Sequence, residues 1–188
     1  MRVITGTARG RRLAELKGQE TRPTTGKVKE AIFSALQFEL EGRRVLDLFA
    51  GTGQMGIEAL SRGAKSCLFV DRRQEACRLV RENLAACALA ERAQVVCGDA
   101  LSCLDGMQTR FDLIFLDPPY ADDTLERALA RIVRFDISAP YGIIVAECPT
   151  EKTLPPLEAP YRLSREYRYG KIKVTVYRRD GETKETEA

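Results

Sequence analysis

From residue 27 the apolar positions Val28, Ala31, Ile32, Ala35 and Leu36 recur at i, i+3, i+4, i+7 and i+8, the spacing that puts one apolar stripe on a helix. Arg44-Val45-Leu46-Asp47-Leu48-Phe49 then reads as a short strand. It runs into the glycine-rich stretch 50–56, and Ile57 and Leu60 ahead of Ser61-Arg62-Gly63 predict a helix that stops there. The alternation continues with a strand over 66–71, a helix over 74–87 with Ala76, Leu79, Val80, Leu84 and Cys87 on one face, and a strand over 93–98. Phe111-Asp112-Leu113-Ile114-Phe115-Leu116 is apolar almost throughout, as in a central strand covered on both faces, and it halts at Asp117-Pro118-Pro119-Tyr120. A helix through Leu125, Ala128, Leu129, Ile132 and Val133 and a strand over 142–147 follow.

Strands alternating with helices predict an α/β fold, a doubly wound and mostly parallel sheet. At the end of the chain Ile172, Val174 and Val176 alternate with Lys171, Lys173, Thr175 and Tyr177. That period of two predicts a strand with one wetter face, paired with 161–167 in an antiparallel hairpin at the sheet edge.

The 188 residues, 44% of them hydrophobic, suffice for one core. We expect a basic N-terminal arm over 1–25, a catalytic domain over 26–180 and a disordered tail over 181–188. The first residues form no apolar signal segment and no apolar run could span a bilayer, so a soluble, cytoplasmic protein without membrane contact is expected. Histidine is absent and the six cysteines form no CxxC pair. The usual zinc ligand sets are therefore missing, and no metal is expected. Ser-His-Asp and Cys-His catalysis are excluded as well, which leaves carboxylate, Lys, Tyr or backbone groups for chemistry. The cysteines are expected to be buried, reduced thiols.

The net charge is only +3, but residues 1–30 hold eight Lys/Arg against three Glu, and residues 161–180 hold seven against Glu166 and Asp180. A basic arm on a near-neutral body points to a polyanionic partner.

Gly51-Thr52-Gly53-Gln54-Met55-Gly56 is a GxGxxG, with Asp71 twenty residues after Gly51 at the next strand end. On that basis a dinucleotide fits as well as any other ribose-bearing cofactor. Asp47, four residues before the first glycine, favours S-adenosylmethionine. A carboxylate there can hold the ammonium of a methionine moiety but would repel a pyrophosphate. Asp99, in Gly98-Asp99-Ala100 after the third strand, is suited to an adenine amino group, and also to capping the next helix.

Asp117-Pro118-Pro119-Tyr120 leaves its strand at the same edge. An exocyclic amino nitrogen on a base is a poor nucleophile because its lone pair is delocalised into the ring. The Asp117 carboxylate and the Pro118 carbonyl, held by the following proline, can accept its two N–H groups, and Tyr120 can stack on an unstacked base.

These residues resemble the amino-methyltransferases that carry Asp or Asn, two prolines, then Tyr or Phe. The likeness extends through Arg2-Val3-Ile4, Gly10-Arg11-Arg12-Leu13, Arg22-Pro23-Thr24, 28–33, 47–53 and 56–64 to the bacterial 16S rRNA guanine-N2 methyltransferase family, over about residues 2–177. The resemblance implies a Rossmann-like class I methyltransferase with a seven-stranded sheet. It implies a guanine N2 in the small ribosomal subunit or its assembly intermediate as the target; separately, a monomer is expected.

The implied sites are catalytic Asp117, Pro118, Pro119 and Tyr120; cofactor-binding Asp47, Phe49, Gly51, Gly53, Asp71, Asp99 and Ala100; and RNA-binding Arg2, Arg9, Arg11, Arg12, Arg22 and Lys27. Thr52 replaces a usual Ser, and Lys27 and Lys29 replace arginines, which keeps charge and loses bidentate phosphate geometry. The motif alone does not separate guanine N2 from adenine N6, so an adenine-N6 DNA methyltransferase is the alternative. A nicotinamide-dependent oxidoreductase would leave Asp117 to Tyr120 idle, and a non-catalytic RNA-binding module would leave both motifs idle.

Overall fold

In the computed structural model the described residues are 1–16, 26–119 and 122–181. Helix α1 (Gly26–Ala35) precedes an alternation of β1 (Arg44–Asp47), α2 (Gln54–Ser61), β2 (Ser66–Asp71), α3 (Gln74–Ala86), β3 (Ala93–Cys97), α4 (Ala100–Asp105), β4 (Phe111–Leu116), α5 (Thr124–Arg134) and β5 (Ser138–Pro149). The hairpin of β6 (Tyr161–Tyr169) and β7 (Ile172–Arg179) completes one seven-stranded sheet ordered β3-β2-β1-β4-β5-β7-β6. The first five strands in that order are parallel, while β7 runs antiparallel to both β5 and β6.

Successive strand residues point to opposite faces, so each apolar strand feeds two cores. Val45, Leu113, Phe115 and Val145 pack with Val28, Phe33, Ile57, Leu60 and Val80, on the face covered by α1, α2 and α3. Leu46, Ile114, Leu116 and Ile144 pack with Leu101, Leu104, Leu129 and Ile132, on the face covered by α4 and α5. The helices thus change face between β1 and β4, and the crevice at the carboxyl ends of these two strands is where such sheets bind ligands.

Gly56 sets how closely α2 approaches the sheet. A Cβ there would lie 2.3 Å from the Phe69 ring and 2.6 Å from Cys67 Sγ, so any other residue would push the helix off β2.

Two expectations change. Strand β7 has no wet face: it lies between β5 and β6, and Lys173, Thr175, Tyr177 and Arg179 are buried. Most of their polar atoms find partners: Lys173 pairs with Glu166 at 3.4 Å, Thr175 Oγ1 donates to Glu166 at 3.3 Å, Arg179 pairs with Asp136 at 2.8 Å and Tyr177 Oη donates to the Pro155 carbonyl at 3.2 Å, while Arg179 Nε has no partner among the described residues. Alternation reveals which residues share a face, not whether that face is covered. The edge strand of the hairpin is β6. Among the thiols Cys67, Cys77, Cys87 and Cys148 are buried, but Cys97 is exposed and Cys103 only half-buried; all six are free.

Residues 1–16 fold back on themselves, with Val3 N–H donating to Arg11 O at 3.0 Å and Leu13 N–H to Met1 O at 3.0 Å. Val3, Ala8 and Leu13 are buried in the first core. The remainder of the basic segment, 17–25, and residues 182–188 of the expected tail lie outside the described residues. Among the described residues no helix is long and apolar enough to cross a membrane, and no group of acidic or thiol side chains could hold a metal ion.

Candidate active site

Asp47 ends β1 with its carboxylate almost wholly buried, at 4% exposure. One oxygen accepts the Gly56 N–H at 3.0 Å, which ties the strand end to the first turn of α2. Burial pushes the carboxyl up to about 7; the Gly56 N–H opposes this and nearby Asp71 adds to it. A buried carboxylate so short of donors favours a cation beside it.

Asp71 ends β2 and organises the glycine turn: it accepts Gly51 N–H at 2.9 Å and Arg73 N–H at 2.9 Å, and the Arg73 guanidinium at 3.2 Å. The turn is closed by Gly53 N–H on Ala50 O at 2.6 Å, with Gly53 in the left-handed region at φ 77° that glycine tolerates best. Phe49 is half-buried beside the second core.

Asp99 is the N-cap of α4, accepting Ser102 N–H at 2.9 Å and Ser102 Oγ at 3.0 Å. The Ser102 backbone bond, chiefly, holds its carboxyl below the usual range. The side chain is exposed at the carboxyl edge, and Ala100 behind it is buried.

Leu48 N–H donates to Phe115 O at 3.2 Å, so the chain leaving β1 stays bonded to the end of β4. Asp117, Pro118 and Pro119 therefore emerge at the same edge as Asp47 and the glycine turn. Asp117 is half-buried, Pro118 buried and Pro119 exposed; Tyr120 lies outside the described residues. Beyond the loop, Lys152 Nζ donates to Asp122 O at 2.9 Å and pairs with Glu126 at 2.8 Å, pinning the start of α5 to the segment after β5.

Of the basic residues singled out in the sequence, Arg2, Arg9, Arg11, Arg12 and Lys27 are exposed, and Arg22 lies outside the described residues. Lys29 is not at the surface. It is 2% exposed, with Nζ 3.0 Å from Glu58 and donating to Arg2 O at 2.9 Å.

Sequence reasoning missed the residues that fasten the N-terminal segment beside the glycine turn. Fully buried Glu58 accepts Ile4 N–H at 2.8 Å, Thr5 N–H at 3.0 Å and Arg62 Nε at 2.9 Å besides pairing with Lys29. Asn83 accepts Ala14 N–H at 2.8 Å and donates to Thr52 O at 3.0 Å, so it links residue 14 to the turn itself. Asn83 was legible as a polar residue close to the apolar face of its helix. Glu58, on a helix buried on every side, was not.

A model of the family described as Conserved hypothetical protein 95 matches residues 1–178. The chain is 43% identical to "Putative rRNA methyltransferase YlbH" of Bacillus subtilis (strain 168), over 96% of this chain and all of that protein. It is 32% identical to "Ribosomal RNA small subunit methyltransferase D" of Escherichia coli (strain K12), over 97% of this chain and 91% of that one. The solved structure of "Putative methyltransferase yhhF" from Escherichia coli superposes with a TM-score of 0.88 at 31% identity, covering 96% of this chain and 98% of that chain. The sheet is thus the Rossmann-like sheet of methyltransferases, and the chain belongs to the Conserved hypothetical protein 95 family, the bacterial 16S rRNA methyltransferase family that its sequence resembles.

Proposed function

We propose that this protein transfers a methyl group from S-adenosylmethionine to the exocyclic N2 of a guanine in 16S rRNA, acting in the cytoplasm as a monomer on the small ribosomal subunit or its assembly intermediate. The observation that carries this reading is the convergence of Asp47, the Asp71-ordered glycine turn and Asp117-Pro118-Pro119 at one sheet edge, between β1 and β4.

Asp47 fits the cofactor's ammonium, since a cation would stabilise a carboxylate that burial otherwise disfavours. Asp71 fits a ribose diol once the Arg73 guanidinium turns aside, and the Gly51 N–H bond keeps the carboxylate aimed at the turn. Phe49, Gly53, Asp99 and Ala100 complete the proposed pocket. When bound, S-adenosylmethionine supplies an electrophilic methyl on a sulfonium.

The protein's own part is positional. The Asp117 carboxylate and the Pro118 carbonyl accept the two N–H groups of the target amine, which draws the nitrogen toward tetrahedral geometry and frees its lone pair. Tyr120 stacks on the extruded base. Guanine is preferred over adenine here on the strength of the family, because the two amines present the same N–H pair. The names of the relatives support ribosomal RNA of the small subunit as the substrate class.

The test incubates the enzyme and its Asp117→Ala variant with labelled cofactor and either small subunits lacking the modification, protein-free 16S rRNA, or duplex DNA. N2-methylguanine from ribosomal RNA is expected, at least a thousandfold slower in Asp117→Ala, with cofactor affinity unchanged. N6-methyladenine from DNA as the main product would overturn the reading.

A further inference from the structure

The seven basic residues of the hairpin do not share one fate. Arg162 pairs with Asp180 at 3.0 Å, Lys173 with Glu166 at 3.4 Å, Arg178 with Glu39 at 2.6 Å and Arg179 with Asp136 at 2.8 Å. Arg165, Arg168 and Lys171 are exposed and have no acidic partner among the described residues. They lie toward the turn of the hairpin. That turn sits at the carboxyl edge of the parallel strands, because Ile172 pairs with Pro149 at the end of β5 and Tyr169 pairs with Ile172. It is also fixed in place: Thr150 N–H donates to Lys171 O at 3.1 Å and Thr150 Oγ1 to Gly170 O at 3.0 Å.

On the same stretch Tyr167 and Tyr169, two residues apart and so on one face of β6, stand with ring centroids 6.4 Å apart at 21°. Both are half-buried. Arg165 Nη1 donates to Tyr167 Oη at 3.4 Å, and a groove of about 210 Å³ runs past both residues between β6 and α1.

Paired aromatics on an edge strand, flanked by exposed cations and anchored to a rigid sheet, suit unstacked nucleotides: rings take the bases and cations take the phosphates. We propose that Tyr167 and Tyr169, with Arg165 and Lys171, receive the single-stranded RNA next to the target nucleotide. This inference rests on the reading of the protein as an RNA methyltransferase and adds a second contact surface to it. The turn lies on the same sheet edge as Asp117, with only β5 and β7 between β4 and β6, so an RNA strand running along that edge meets both. A protein or lipid partner would make less use of two aligned rings beside exposed cations.

The test measures equilibrium binding of a labelled single-stranded RNA spanning the methylated nucleotide, across salt concentrations, beside cofactor affinity and melting temperature. Replacing both tyrosines by alanine is expected to weaken RNA binding about tenfold or more with little change in salt slope, and Tyr167→Phe with Tyr169→Phe to restore it. Arg165→Ala with Lys171→Ala is expected to lower the salt slope by roughly 1.4 units, whereas Arg162→Ala, at the far end of the hairpin, leaves it unchanged.

Wild-type binding by all these variants overturns the proposal alone. Absence of RNA binding by the wild type overturns it together with the function it rests on. Loss of binding to ribosomal particles with full affinity for naked RNA would make the occupant a protein and would also overturn it.

Discussion

Asp47 is where a single residue's environment dictates a measurable behaviour. Its carboxyl, pushed up to about 7 by burial, is largely protonated in the free protein at pH 6. A cofactor ammonium placed beside it favours the ionised form, so binding releases a proton below pH 7. Cofactor affinity is then expected to rise with pH from 5 to 7, approaching tenfold per unit, and to level off above. The stability of the free protein runs the other way. Between about pH 4 and 7 the folded state keeps a proton that the unfolded chain has lost, so stability falls as pH rises through that window. Asp47→Asn is expected to weaken cofactor binding and flatten both profiles. Calorimetric titration in buffers of different ionisation heat measures the proton released, and a pH-independent affinity between 5 and 7 would exclude the ammonium contact.

At the level of elements, α2 shows what the sequence conveyed and what it withheld. The glycines before the helix and the acidic residues at strand ends were legible because each occupies a fixed place relative to a strongly patterned strand. The helix itself was misleading. Only Ile57 and Leu60 marked it, yet every residue from Met55 to Ser61 is buried, because residues 1–16 lie over it. Contacts such as Ile4 to Glu58 join positions 54 apart, and no local period encodes them. The same blindness made β7 look like a strand with a wet face.

Glu58→Ala would leave Lys29 buried without its partner and strip the Ile4 and Thr5 N–H groups of their acceptor. The cost is about 3–5 kcal/mol, a drop of roughly 10 °C in melting temperature. Cofactor affinity should fall too, through the Ala14–Asn83–Thr52 link to the glycine turn. Circular dichroism melts and calorimetry on the same samples would check both, and a melting temperature within a degree or two of wild type would show that the cluster does not anchor the segment.

For the molecule as a whole, the distribution of charge decides how RNA binding should be dissected. Removing the N-terminal segment is a poor experiment, since Val3, Ala8 and Leu13 are core residues and the backbone of residues 4 and 5 caps a buried carboxylate. A truncated chain would lose stability along with charge. Arg9, Arg11 and Arg12, by contrast, are exposed beside those buried positions, so the segment separates its two roles residue by residue. Replacing these three arginines by alanine is expected to leave the melting temperature and cofactor affinity near wild type. The slope of log affinity against log salt should become shallower by roughly 0.7 for each single-strand phosphate no longer neutralised, about two units if all three arginines touch phosphate. Binding titrations of 16S rRNA at several salt concentrations give that slope directly. An unchanged slope would confine RNA recognition to the carboxyl edge and the hairpin turn, leaving the segment with the anchoring role that Glu58 and Asn83 define.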